Sequence, residues 1–264
     1  MRRIANRITY TRLRPHAALF ASGTPILTYH HVGRRPLGVR WRGLWVSPRL
    51  FSKQMRELHG AGYRSASLDG FAPGPGNPGR KFVVSFDDGY ESVLTHALPV
   101  LVAHAAIGIQ FIVAGRIGGL NEWDMTVGER PAKLMDDAGI RAWLSAGHQI
   151  GSHTITHPRL TSLPRSTQKA EIRESRLMLE DQFGCPVRHF CYPYGDLDEA
   201  VVDLVGEAGY ETACTHLDSG VNSVDTHRLL LKRIEARYPS RSLKAVANWL
   251  IARFRSEESK AVVI

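Results

Sequence analysis

The sequence predicts an α/β fold built on a mainly parallel sheet. Two observations carry that expectation. Short apolar runs rich in β-formers alternate with stretches of helical periodicity, which is the order of a βαβ chain. The 264 residues, 43% hydrophobic and 22% charged, also suit one large soluble domain or two small ones, and a single α/β barrel of this length is ordinary. In such sheets ligands sit at the carboxyl ends of the strands, so the last residues of each strand matter most.

The elements follow in order. ILTYHHV (26–32) is an apolar strand, and Pro48–Ala61 a helix with Phe51, Met55 and Leu58 inward. FAPGPGNPGR (71–80) has too much Pro and Gly for either element and marks a loop. KFVVSF (81–86) is a buried strand, and Ser92–Ala106 places Val93, Ala97, Val100, Leu101 and His104 at helical spacing. IQFIVA (109–114) is a strand, 132–146 a helix ending at Gly147, and HQIGSHT (148–154) a strand running into a loop. A helix over 166–183 closes at Gly184, HFCYP (189–193) is a strand, and 198–208 a helix ending at Gly209. ETACT (211–215) and LLLKRIEA (229–236) are strands. The last helix runs over about 242–254, with Leu243, Val246, Leu250 and Phe254 as its buried stripe.

Composition bounds the partners. A formal net charge of +9 favours acidic ones, but the arginines are scattered and no nucleic-acid motif accompanies them. A generally basic surface is expected, and no nucleic-acid partner. Cys185, Cys191 and Cys214 are odd in number and widely spaced, which argues against a disulfide framework or a cysteine zinc site. No apolar stretch reaches the roughly 18 residues of a membrane span. The N-terminal MRRIANRITYTRLRPHAALFASGTP has the positive flank of an export signal, but AALFA is too short for its apolar segment. The expectation is a cytoplasmic chain.

The chemistry gathers at the strand ends. In SFDDG, Asp87 and Asp88 stand side by side behind an apolar strand. A lone Asp-Gly there would read as a turn and helix cap. Two adjacent carboxylates repel, and a bound dication would relieve that. GSHTITH adds His153 and His157, spaced by four, which brings both imidazoles to one face of a helix or tight loop. Imidazole with carboxylate suits zinc or a similar borderline metal. Two ordinary loop histidines are the plain alternative.

SFDDG, then HTITH, then FCYPYG resembles the polysaccharide deacetylase family (the NodB homology domain, carbohydrate esterase family four), over about Pro25 to Ala236. The resemblance implies a distorted (β/α)7-type barrel over 25–256, with 1–24 as an N-terminal extension and 257–264 as a tail. It implies metal-dependent removal of N-acetyl groups from N-acetylglucosamine-type sugars of a polysaccharide or its precursor. Asp87 would be the catalytic base. Asp88, His153 and His157 would hold a divalent metal, Zn2+ first, with Co2+ or Ni2+ able to serve. Tyr192, Pro193 and Tyr194 would line the substrate groove, and the Tyr194 N–H would help hold the oxyanion.

The chain departs from that pattern twice. The third motif of the family usually opens with an arginine that pairs with the base, and Cys191 stands there. Asp87 should then lack a cationic neighbour and titrate higher. The late Leu-x-His that usually brings the general acid is missing, with Lys232 and Arg233 in its region. ILTYHHV resembles the opening strand of the poly-N-acetylglucosamine deacetylase branch, which implies His30 as the acid, ahead of His31, His216 and His227. Trp123, after the third of these strands, can stack on a sugar or pack its loop. A deacetylase or deformylase of a small or lipid-linked amino sugar, and a glycan binder without catalysis, stay open. Oligomeric state is not legible.

Overall fold

The structure is a computed structural model and describes residues 8–237 apart from Ala72 and Leu217. The expected final helix over 242–254 lies outside the described residues. Twelve strands are assigned among those described: β1 (Thr9–Tyr10), β2 (Thr24–Tyr29), β3 (His31–Val32), β4 (Trp45–Val46), β5 (Arg64–Ser65), β6 (Lys81–Phe86), β7 (Gly108–Ile112), β8 (Gln149–Ser152), β9 (His189–Cys191), β10 (Thr212–Cys214), β11 (Val221–Asn222) and β12 (Ile234–Ala236). The helices are α1 (Ala17–Ala21), α2 (Pro48–Gly60), α3 (Glu91–His96), α4 (Leu98–Ala103), α5 (Asp137–Ser145), α6 (Arg165–Phe183) and α7 (Glu199–Glu207).

The main sheet runs β1-β12-β2-β6-β7-β8-β9-β10, with every neighbouring pair on that path parallel. Its far end curls back. Cys214 of β10 bridges Leu231, three residues before β12, and the Leu231 N–H donates to the Ala213 carbonyl at 2.8 Å. The sheet is therefore a curled, mainly parallel barrel, as the alternation of elements predicts.

Strand alternation sorts the side chains into two layers. Ile26, Val83, Ile109, Phe111, Cys191, Cys214 and Leu231 form the small cluster inside the barrel. Leu27, Tyr29, Val84, Phe86 and Phe190 face outward into the larger core beneath the helices. Trp143 of α5 is fully buried there, its ring edge-on to Phe86. Gly151 is required by this filling: a Cβ would stand 2.6 Å from the Phe111 ring and 2.9 Å from the His189 carbonyl.

Three expected elements differ in detail. The helix over 92–106 is two short ones, α3 and α4, because Pro99 cannot donate the hydrogen bond that would join them. The helix expected from 132 begins at Asp137, where Asp136 caps it by accepting from the Gly139 N–H at 2.8 Å. LLLKRIEA is strand only over Ile234–Ala236, preceded by a 3-10 turn at Arg228–Leu230.

Candidate active site

The period of two that fills the barrel also builds the site. On β2 the inward series is Ile26, Thr28, His30, and on β6 it is Val83, Ser85, Asp87. Thr28 Oγ1 and Ser85 Oγ lie 3.0 Å apart, and the Asp87 N–H donates to the Tyr29 carbonyl at 3.0 Å. Asp87 therefore ends an inward row at the carboxyl mouth of the barrel. The chain then turns sharply, with Asp88 at φ 74° and Gly89 at φ 82°, so the second carboxylate points away from the first.

β8 ends at the same mouth. Beyond it the loop 153–157 is held from both sides. The Ala114 and Gly115 N–H groups donate to the Thr154 and Ile155 carbonyls, both at 2.9 Å. Glu171 of α6, 8% exposed, accepts from the Ile155 and Thr156 N–H groups at 2.8 and 3.0 Å and from the Thr156 hydroxyl at 2.6 Å. His157 has φ 63° and Thr154 φ 71°. Of six non-glycine residues at positive φ among the described residues, Asp88, Thr154, His157 and Tyr194 are here, a concentration typical of functional sites.

Asp88 Oδ1 lies 3.4 Å from His153 Nε2 and 3.3 Å from His157 Nε2, all three side chains being buried. Ligand atoms each about 2.0–2.2 Å from a tetrahedral metal stand about 3.3–3.6 Å apart, so the three groups fit one dication. His153 Nδ1 meets the Cys191 carbonyl at 2.7 Å; donation there leaves Nε2 bare for a metal. Burial keeps the His157 imidazole below its ordinary pKa, in the neutral form that ligates. Burial alone would raise the Asp88 carboxyl, but hydrogen bonds from His153 and His157 outweigh it and hold it well below the usual range.

The expected lack of a cation beside Asp87 is corrected. Arg233, in the segment leading into β12 and fully buried, sets Nη1 2.7 Å from Oδ1 and Nη2 2.9 Å from Oδ2. Burial pushes Asp87 upward, but the Arg233 charge, the His216 hydrogen bond and the His30 charge outweigh it, leaving the carboxyl well below its ordinary value. It does not titrate higher. The missing partner comes from the segment that replaces the expected late histidine motif.

Two imidazoles flank the carboxylate. His216 Nε2 is 3.1 Å from Asp87 Oδ2 and also touches Arg233 Nη2. His30 Nε2 is 3.8 Å from the same oxygen. Burial and then the Arg233 charge lower His216 to about 4, so it stays neutral near pH 7. His31 faces the other way, packed between the Trp45 and Tyr90 rings at centroid distances of 3.9 and 3.6 Å.

Above these groups opens a cavity of about 600 Å³. His30, Asp87, Asp88, Trp123, His153, His157 and Tyr194 line it. Trp123 stacks on the His157 ring at 4.6 Å while still facing the cavity. Tyr192 and Pro193 are corrected. Both are buried, and Tyr192 shares the outer face with Phe190, its hydroxyl donating to the Leu229 carbonyl at 3.0 Å. Alternation along β9 sends Cys191 inward and its two neighbours outward.

Sequence reasoning gave no role to Leu44, Asp124, Arg159 or Glu235, all of which line the cavity. The signal for Asp124 was present, since NEWD follows a strand end. Burial, then the Asp88 charge, raise its carboxyl to about 6. Arg159, beside HTITH, lays its guanidinium over the Tyr194 ring at 4.4 Å.

Comparison with known proteins agrees with this geometry. The family model described as polysaccharide deacetylase matches residues 75–213, just over half of the chain. YxkH of Bacillus subtilis (strain 168), a polysaccharide deacetylase by name alone, is 28% identical over 216 residues, covering 80% of this chain and 70% of its own. The chitooligosaccharide deacetylase of Sinorhizobium fredii is 26% identical over 140 residues, 52% of this chain and 57% of that protein. Among solved structures, the Streptococcus pyogenes deacetylase PplD superposes with a TM-score of 0.68 at 20% identity, over 86% of this chain and 97% of that one, a likeness of fold. The chain belongs to the polysaccharide deacetylase family, hydrolases that act on the N-acetyl amide bonds of polysaccharides.

Proposed function

We propose that the protein removes N-acetyl groups from N-acetylglucosamine-type residues of a polysaccharide or its precursor, with a divalent metal, zinc first, held by Asp88, His153 and His157. One observation carries the reading. A separate, arginine-held carboxylate, Asp87, lies beside a three-ligand cluster at the floor of an open cavity. The chitooligosaccharide deacetylase relative, and the poly-beta-1,6-N-acetyl-D-glucosamine N-deacetylase of Staphylococcus aureus (strain MRSA252), 23% identical over 50% of this chain and 46% of that one, support this sugar class.

The metal, when bound, supplies Lewis acidity toward the amide carbonyl and toward water. Asp87 is the base and accepts a proton from the attacking water. The Tyr194 backbone N–H, presented by a turn with Tyr194 at φ 58°, donates to the developing oxyanion. His30 is the acid: it gives a proton to the departing nitrogen as the C–N bond breaks, leaving acetate and a free amine. His216 is less suited to that step, because burial and then the Arg233 charge keep it neutral. Trp123 and Tyr194 offer ring faces to the sugar.

The test is acetate release from an acetylated glucosamine oligomer by metal-stripped protein reconstituted with zinc, cobalt or nickel. The reconstituted enzyme should be active. Asp87→Asn should bind metal and turn over at least about 10²-fold more slowly, and His30→Ala should behave likewise. His153→Ala should lose metal and activity together. Undiminished turnover by Asp87→Asn would remove that residue from the mechanism.

A further inference from the structure

We propose that the rim of the cavity is a docking surface for an anionic lipid bilayer. The docking itself does not depend on the reaction; its consequence for the substrate rests on the proposed deacetylation.

The rim is apolar where water should meet it. Among the described residues nine large hydrophobic side chains are exposed. Five of them, Leu37, Trp41, Leu120, Met125 and Tyr194, lie on the cavity lining or on the two loops that contribute to it. Leu37 is the most exposed, at 89%. Single apolar side chains scattered over a surface need no explanation, whereas a group around one opening marks an interaction site.

The two loops are latched together. Segment 34–43 gives Trp41 to the cavity, and segment 120–130 gives Trp123 and Asp124. Arg130 Nη1 donates to the Leu37 carbonyl at 3.0 Å, and the Trp41 N–H donates to the Glu129 carboxylate at 2.6 Å. Val39, between Leu37 and Trp41 in sequence, is buried and pins the first loop down. Leu37 is thus turned outward by a loop held on both sides of it.

Charge identifies the partner. Arg34, Arg35, Arg40 and Arg42 are all exposed on the loop that carries Leu37 and Trp41. The acidic residues of the neighbouring loop are engaged: Glu122 pairs with Arg116 at 2.9 Å, and Glu129 accepts the Trp41 and Arg130 N–H groups. α6 also exposes two apolar side chains, Leu177 and Met178, but its cations are matched there, Arg173 by Glu174 at 2.7 Å and Arg176 by Glu180 at 3.1 Å. Among the described residues no carboxylate pairs with Arg34, Arg35 or Arg42. Guanidinium groups beside outward apolar tips suit lipid phosphates with acyl chains beneath them. A soluble polyanion would meet the arginines and make no use of Leu37 or Met125. A bilayer seated on this rim lays its headgroups over the cavity, so the substrate class that follows is an N-acetylated amino sugar borne on a lipid.

The experiment sediments the full chain with phosphatidylcholine vesicles, with and without phosphatidylglycerol, at low and high salt. Wild type should bind the phosphatidylglycerol vesicles and release them as salt rises. Arg34→Ser/Arg35→Ser should weaken binding by about 20-fold or more, at about fivefold for each arginine. Leu37→Ser/Met125→Ser should weaken it by at least about tenfold. Thermal melting, zinc uptake and acetate release from the soluble oligomer should match wild type in both variants. Acetate release from an N-acetylglucosaminyl lipid in phosphatidylglycerol vesicles should fall in step with binding.

Failure to bind these vesicles at low salt overturns the docking surface. So does binding that both variants retain, which moves the contact to another surface such as α6. Loss with the arginine variant alone assigns the rim to a soluble acidic polymer and overturns the bilayer. Wild-type rates of both variants on the vesicle-borne sugar overturn the substrate class. A protein that binds vesicles but releases acetate from neither substrate sinks the proposed reaction and leaves the docking standing, whereas an active protein that ignores vesicles sinks the docking alone.

Discussion

At the scale of single residues, the site is an arrangement of charges that burial alone would not permit. Asp87 and Asp88 are 1% and 4% exposed, and each stays ionised because cationic or hydrogen-bonding partners converge on it. Asp124 is less well matched, the His30 charge offsetting only part of what raises it. It shares a hydrogen bond with Asn121 at 3.2 Å, while burial and the Asp88 charge raise it to about 6. A carboxyl raised in the folded state adds stability that is complete below its unfolded pKa of about 3.9 and is lost as pH climbs through 6. In metal-free protein, Asp124→Asn should therefore melt higher than wild type at pH 7, by on the order of 1–2 kcal/mol after solvent screening is discounted. Near pH 3.5 the two should melt alike. Urea or thermal melts across that range check it, and a gap that fails to close in acid removes the electrostatic cause.

At the scale of elements, the proposed metal ligands depend on a helix that contributes no ligand itself. α6 reaches the loop 155–156 through Glu171, whose two oxygens take three hydrogen bonds. That loop must hold Thr154 and His157 at positive φ, a cost of order 1–3 kcal/mol for each residue. Glu171→Ala should release the loop, lowering metal affinity about 10–100-fold and stability by about 1–3 kcal/mol. Competition with a chromophoric chelator measures the first and denaturant melts the second. Affinity unchanged in a destabilised variant would separate the clamp from the metal site. Trp143 and Gly151 act at this scale too, filling the outer core and making room for Phe111.

For the whole molecule, the curled sheet brings distant segments to one mouth. Asp87 meets Arg233 across 146 residues of chain and His216 across 129. No helix among the described residues is long and apolar enough to cross a membrane. Because the proposed ligand set joins the ends of β6 and β8, a bound dication should lock the barrel mouth. Zinc at 100 times its dissociation constant should stabilise the fold by about 2.7 kcal/mol, and chelation should lower the melting temperature accordingly. The same shift should be missing in His153→Ala, which provides the control.

The local code was legible from residues alone. SFDDG and HTITH announce a carboxylate pair and a histidine pair at strand ends, and Asp198 and Gly184 mark helix boundaries within a residue or two. Each depends on near neighbours in sequence, where spacing determines direction. What the chain order hid were the partners from afar. Cys191 read as a lost cation, because nothing in one dimension reveals that Arg233 enters the same interior space. Tyr192 read as a groove residue, because YPYG does not show which face of β9 it leaves by. Barrel closure and strand alternation decide those questions, and both follow from how the sheet packs against its helices, a property of the assembled fold.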